Sequence, residues 1–224
     1  MSDIVLFIIV ALAGYFIGNI EFAVIISRLT YKDDIRKHGS GNAGTTNMMR
    51  VYGMKPGLAT FLGDFLKGLL GTLLLSFIGS IFSSDTVYFG AKASDICKYT
   101  GAMCIVIGHD YPILFGLRGG KGAASSLGIA FVLAPIIALV VTVLCFILIY
   151  ATQIVSLGSL LGMTIFSASL IIHGINIGDY AMVTLAVLLC VILVIRHSDN
   201  ISRLLQGKEN KLFKRPHKHE NNIE

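Results

Sequence analysis

Gly122–Tyr150 is a run of nearly thirty residues, almost all apolar and interrupted once by Pro135. A helix satisfies its own backbone groups where no water can reach, so the natural solvent for such a stretch is a bilayer. Runs of the same character occupy Ile4–Ile26, Pro56–Phe82, Tyr99–Phe115, Ala151–His173 and Asp179–Ile195. Only 14% of the residues are charged and 54% are hydrophobic, where a soluble domain carries about 25% charge. The chain therefore reads as a membrane protein. Met1–Asp3 has no basic n-region and no small-residue cleavage site follows, so Ile4–Ile26 reads as a retained span and not as a signal peptide.

Charge sets the orientation. Ser27–Lys55 holds Arg28, Lys32, Arg36, Lys37, Arg50 and Lys55 against Asp33 and Asp34, which marks it as cytoplasmic and puts the N-terminus outside. As one helix, Gly122–Tyr150 would be about 43 Å long, too long without tilt; two short spans turning near Pro135 fit better. A tail rich in Lys and Arg belongs in the cytoplasm, so the number of crossings must be odd. The expected fold is an all-α polytopic membrane protein of about seven transmembrane helices, N-terminus outside and C-terminus cytoplasmic. Residues 1–207 are expected to form one integral-membrane domain, and residues 208–224 a charged, disordered cytoplasmic tail. His217 and His219 in that tail read as solvated residues. A net charge of +5 suits anionic headgroups or anionic substrates, and nucleic acid is not expected, because the basic residues sit at span ends. Cys97, Cys104, Cys145 and Cys190 form no C-x-x-C pair, so neither a metal nor a disulfide is expected.

Four polar clusters interrupt the apolar pattern. In Gly39–Arg50, Gly41 and Gly44 let successive N–H groups converge on one anion, while Ser40, Thr45 and Thr46 add hydroxyls and Asn42 and Asn47 amides. Arg50 supplies a fork matched to phosphate oxygens. Taken alone, such a segment also reads as a flexible polar loop. The second cluster is Gly108-His109-Asp110-Tyr111-Pro112, followed by Arg118-Gly119-Gly120-Lys121-Gly122 at the start of an apolar helix, where free N–H groups and the helix dipole favour an anion. The bland reading is a tight turn with interface-anchoring basic residues. No Ser or Thr follows Lys121, so this is not a Walker A loop. The third cluster places Arg196, Asn200 and Arg203 on one helical face with His197 beside it. The fourth and weakest is Ser156 and Ser159, which could equally be packing residues. Asp64 and Lys67, three apart inside the second span, should pair or line a wet cavity. The gathered cations and two glycine-rich cradles suggest two phosphate-bearing substrates, or one that moves between sites.

Three ordered motifs, Ser40-Gly41-Asn42…Gly44…Thr46-Asn47…Arg50, Gly108-His109…Tyr111-Pro112…Gly119-Gly120-Lys121-Gly122 and Arg196-His197…Asn200-Ile201…Arg203-Leu204…Gly207…Glu209, resemble those of the bacterial acyl-phosphate:glycerol-3-phosphate acyltransferases (the PlsY-like family). Asp64…Lys67-Gly68 fits a further part of that pattern. The departures are Ala43 where the family usually has Pro, Glu21 where Pro often follows, Leu117 where Phe is common, and Gln153 where a basic residue is frequent. The resemblance implies transfer of a fatty acyl group from acyl phosphate to the 1-hydroxyl of sn-glycerol 3-phosphate, giving lysophosphatidic acid and phosphate, without a cofactor. It also implies a multi-pass protein of the bacterial inner membrane with its site facing the cytoplasm, and a monomer suffices. Ser40, Arg50, Lys121 and His197 would be catalytic. Gly41, Asn42, Gly44, Thr46, Asn47, Asp64, Lys67, His109, Gly119, Gly120, Gly122, Ser156, Ser159, Asn200 and Arg203 would bind substrate. The general base is either His197 or a substrate phosphate oxygen, the latter being favoured. No His is followed five positions later by Asp, which argues against CoA as the acyl carrier. An organic-phosphate transporter is the alternative of another class.

Overall fold

The computed structural model describes residues 2–212, and apart from one small hairpin these are helices and their connectors. The expected first span is broken in two. Helix α1 (Asp3–Gly18) stops at Asn19, and α2 (Phe22–Tyr31) resumes after Glu21. Asn19 holds the break open: its Nδ2 donates to the Tyr15 carbonyl at 2.7 Å, and its Oδ1 accepts from Leu114 N–H at 3.2 Å. Hydropathy cannot reveal this break, since the contact that fixes it comes from far along the chain.

A short amphipathic helix, α3 (Thr45–Tyr52), precedes the long α4 (Met54–Phe82). A two-stranded hairpin, β1 (Val87–Tyr88) with β2 (Ala91–Lys92), leads into α5 (Ala93–Asp110). That helix begins and ends several residues before the expected Tyr99–Phe115 span. The apolar run after Lys121 is divided at Ala134 into α6 (Ala123–Leu133) and α7 (Pro135–Thr152), with Pro135 at the first helical position, where its missing N–H costs nothing. Helices α8 (Val155–Ile177), α9 (Tyr180–Arg196) and α10 (Ser198–Leu205) complete the chain, the last two bent by 63° at His197.

Among the described residues four segments are long and apolar enough to cross a membrane: Asp3–Tyr31, Met54–Phe82, Pro135–Thr152 and Val155–Ile177, with a fifth if α9 and α10 are counted as one span. Glycine lets the helices approach closely. A Cβ at Gly18 would strike the Ile105 carbonyl across the α1–α5 contact, and one at Gly68 or Gly128 would strike backbone across the α4–α6 contact. Leu6, Val10, Leu75, Ile105, Ile129 and Leu170 fill the interior, while Phe16, Leu70, Phe77 and Leu144 face outward as a lipid-facing surface requires.

The two ends of the bundle differ. At one end Asp3 accepts from Ser84 N–H (2.9 Å) and from the Tyr88 hydroxyl (3.0 Å), and the Tyr99 hydroxyl donates to Asp179 (2.7 Å). All the long polar connectors between α2 and α4, between α5 and α6, and after α9 gather at the other. Glu209, Asn210 and Leu212, in the first part of the expected tail, lie at that end as well. Leu212 N–H donates to the Gln153 carbonyl at 2.7 Å, and the Glu209 side chain is buried. His217 and His219 lie outside the described residues.

Candidate functional site

The first glycine-rich loop is tied by one amide. Asn47 Oδ1 accepts from Ser40 N–H at 2.9 Å, and its Nδ2 lies within 3.0–3.3 Å of the carbonyls of Ile35, His38 and Asn42. Gly39 (φ +59°) turns the chain against that amide, and any Cβ there would overlap Asn47 Oδ1. Asn47 is thus the knot of the loop, with little left to offer a substrate. Beneath it Ile35, Ala43 and Met48 pack with Ala23 and Val24 in a small separate core. Asp34 is held well below the usual carboxylate range, first by its bonds from Arg36. Arg36 in turn donates to the Arg118 carbonyl at 3.1 Å, which joins the first loop to the second.

The second loop is pressed onto the end of α5. Gly120 N–H donates to the His109 carbonyl at 3.1 Å, and a side chain at Gly119 or Gly120 would collide with His109 itself. Arg196 closes the loop from the other side, its Nε 3.2 Å from the Gly120 carbonyl. Gly122 (φ +68°) turns the chain into α6. Lys121 is left on the wall of a cavity, bonded to Asn200 Oδ1. Burial lowers its pKa from the ordinary lysine value, with Arg203 adding to the effect.

The break at His197 turns the third cluster inward. His197 Nδ1 lies 2.9 Å from the Leu193 carbonyl, so that nitrogen carries the proton and Nε2 is the one left for a ligand. Asn200 Nδ2 donates to Glu209 Oε1 and Arg203 Nε to Glu209 Oε2, both at 3.0 Å. Arg50 Nη2 donates to the Asn210 carbonyl at 2.9 Å, and burial lowers the Arg50 pKa.

One cavity of about 790 Å³ gathers these groups. Of the four residues expected to be catalytic, Ser40, Arg50, Lys121 and His197, all line it. So do Gly41, Asn42, Gly44, Thr46, Asn47, Asp64, His109, Gly119, Ser156, Ser159, Asn200 and Arg203. Five cations, Arg50, Arg118, Lys121, Arg196 and Arg203, face three acids, Asp64, Asp199 and Glu209, so the wall favours an anion. Ser156 presents a buried hydroxyl with no partner among the described residues, whereas Ser159 is bonded back to the Val155 carbonyl at 3.1 Å.

Gly120, Gly122 and Lys67 do not reach the wall. Lys67 sits underneath it, where its ammonium is 2.9 Å from Asp64 Oδ1, 2.6 Å from the Ile20 carbonyl and 3.1 Å from the Gly18 carbonyl. His109 Nδ1 lies 2.8 Å from the same ammonium and 2.9 Å from Glu21 Oε1. These four side chains form an ionic knot that ties the α1–α2 break to α4 and α5, with Asp64 and His109 on its cavity side. Sequence reasoning missed Glu209 as a site residue. The signal available was its place in the third motif, Gly207…Glu209, but composition made the segment after Gly207 look unstructured. Among the described residues no group of three or more His, Cys, Asp or Glu could hold a metal ion.

A family model described as glycerol-3-phosphate acyltransferase matches residues 8–207. A glycerol-3-phosphate acyltransferase of Finegoldia magna is 43% identical over 209 residues, covering 92% of this chain and 96% of the relative. One from Clostridioides difficile is 36% identical, covering 94% and 97%. The crystal structure of PlsY (YgiH), an integral membrane glycerol 3-phosphate acyltransferase, in its glycerol 3-phosphate form, superposes with a TM-score of 0.79 at 30% identity, covering 93% of this chain and 96% of that one. Its lysophosphatidic acid form gives 0.75 at the same identity, covering 92% and 94%. Motif, fold and relatives agree over nearly the whole length, and the chain belongs to the glycerol-3-phosphate acyltransferase family.

Proposed function

We propose that this protein transfers a fatty acyl group from acyl phosphate to the 1-hydroxyl of sn-glycerol 3-phosphate at the cytoplasmic face of the bacterial inner membrane. The observation that carries this reading is the single cavity shared by Arg50, Lys121, His197 and Arg203, with a polar mouth and an apolar interior. The hydroxyl oxygen attacks the acyl carbonyl carbon, an ester C–O bond forms, and the C–O bond to phosphate breaks. Inorganic phosphate leaves, and the hydroxyl proton passes to a base. Acyl phosphate is already activated, so the protein chiefly aligns two anions and stabilises the charge that develops on the phosphate. Arg50, Lys121, Ser40, Thr46 and Ser156 suit the acyl-phosphate end; Asn200 and Arg203 suit glycerol 3-phosphate. Either His197 Nε2 or a substrate phosphate oxygen takes the proton.

Seven crossings, with the N-terminus outside and the C-terminus inside, fit this reading. The start of α1 and the tail after α10 lie at opposite ends of the bundle, as an odd number requires. Purified protein given acyl phosphate and glycerol 3-phosphate should form lysophosphatidic acid and phosphate in equal amounts, and acyl-CoA should not replace the acyl phosphate. Uptake of glycerol 3-phosphate into vesicles with no ester formed would instead mark a transporter.

A further inference from the structure

The cavity changes character with depth. Ile149, Cys145, Val141 and Ala138 descend one face of α7, and Gly158, Gly162 and Phe166 descend the facing side of α8. The Thr142 hydroxyl among them is spent on the Ala138 carbonyl at 2.6 Å, so this part offers no free polar group to a ligand there. From Val155, at the polar mouth, to Phe166 the helix rises about 16 Å, close to the thickness of one leaflet of a hydrocarbon core about 30 Å thick.

At its inner end the cavity meets the buried core. Ala130, Ala138 and Phe166 are the wall residues that also belong to the main buried core, with exposures of 2%, 1% and 2%. Ile129 and Leu170 belong to the same core, and Leu133, Ala134 and Ile137, which form the α6–α7 joint at Pro135, pack against it. Along the α7–α8 seam the wall is close-packed, because a Cβ at Gly158 would run into Ile149 and one at Gly162 into Cys145. We propose that Phe166, with Ala130 and Ala138 beside it, is the floor that measures the length of the acyl chain. The inference rests on the acyl-transfer reading and adds to it the residues that select among acyl phosphates.

A chain whose terminal methyl just reaches Phe166 buries every methylene, each contributing about fourfold in affinity. A longer chain must fold back or lift its carbonyl away from Arg50 and Lys121, and a shorter one leaves apolar wall uncovered. Selection by hydrophobic fit is therefore modest per carbon.

The test compares lauroyl, palmitoyl and stearoyl phosphate, each with glycerol 3-phosphate, on the purified full chain. Phe166→Ala should raise the stearoyl-to-palmitoyl ratio of kcat/KM about tenfold. Ala130→Leu should raise the lauroyl-to-palmitoyl ratio by a similar factor, and both variants should keep the wild-type KM for glycerol 3-phosphate. If either fails to fold, Phe166→Leu serves, with a shift toward stearoyl phosphate of about threefold expected. Variants that make product with unchanged chain-length ratios would overturn the floor while leaving acyl transfer intact. No product from any acyl phosphate with the wild type would overturn the acyl-transfer reading itself.

Discussion

The cavity wall and the ionic knot that adjoins it through Asp64 and His109 use the same vocabulary of Lys, Arg, His and carboxylates, but they use it to opposite ends. In the knot, Lys67 is 6% exposed and Glu21 not at all, and Lys67, Asp64, Glu21 and His109 answer one another and two free carbonyls. On the wall, among the described residues, Arg50 and Arg203 are met by Asn210 and Glu209, and both line the cavity. A cation whose donors are all spent inside the protein fixes the backbone. One with donors facing a cavity binds what diffuses in. The distinction cannot be drawn from residue type or helical spacing, only from what surrounds each charge.

The sharpest way to break this contrast is Lys67→Met. It strands Asp64 and Glu21 without their counter-ion, and breaking a buried pair costs roughly 3–5 kcal/mol. Thermal unfolding in detergent should drop on the order of 10 °C. An unchanged midpoint with lost activity would put Lys67 among the substrate-binding groups after all. Arg50→Ala and Lys121→Ala should do the reverse, lowering kcat/KM about 10²–10³-fold with little change in the midpoint. A smaller effect is expected from pH. Burial disfavours the charged form of Lys121, so its proton leaves at a lower pH than that of an exposed lysine, and kcat/KM for the free enzyme should fall on the alkaline side before the ordinary value of about 10.4. Lys121→Arg should carry that limb to higher pH. Least of all should change in Ser159→Ala, within about twofold, because that hydroxyl is already spent on its own helix. Ser156→Ala, which removes an unpartnered hydroxyl from the wall, should lower kcat/KM about tenfold. Equal effects at the two serines would erase the distinction between spent and free donors.

Much of this was legible in the sequence, and for local reasons. Pro135 divides its apolar run because proline lacks a donor and clashes in mid-helix. The glycine-and-cation clusters could be picked out because their chemistry is carried within a few consecutive residues, and members of each line one cavity. What stayed hidden depends on partners distant in the chain. The α1–α2 break needs Leu114 and Lys67 to stabilise it, and hydropathy across Ile4–Ile26 gives no sign of it. Spacing put Asp64 and Lys67 on one helical face but could not say that only Asp64 reaches the cavity. Glu209 stood in the third motif but was left off the candidate site because its segment was judged by average charge, and its two hydrogen bonds reach Asn200 and Arg203.

The stretch from Lys208 to Leu212 lies across the cavity mouth, pinned by Glu209, by Asn210 and by the Leu212–Gln153 bond. That governs how the protein can be handled. A purification tag, reporter or linker spliced directly after Gly207 replaces the segment that organises the mouth, and would cripple the enzyme without unfolding it. The opposite terminus, where Asp3 rests on Ser84 and Tyr88 far from the chemistry, is the better place to attach a handle.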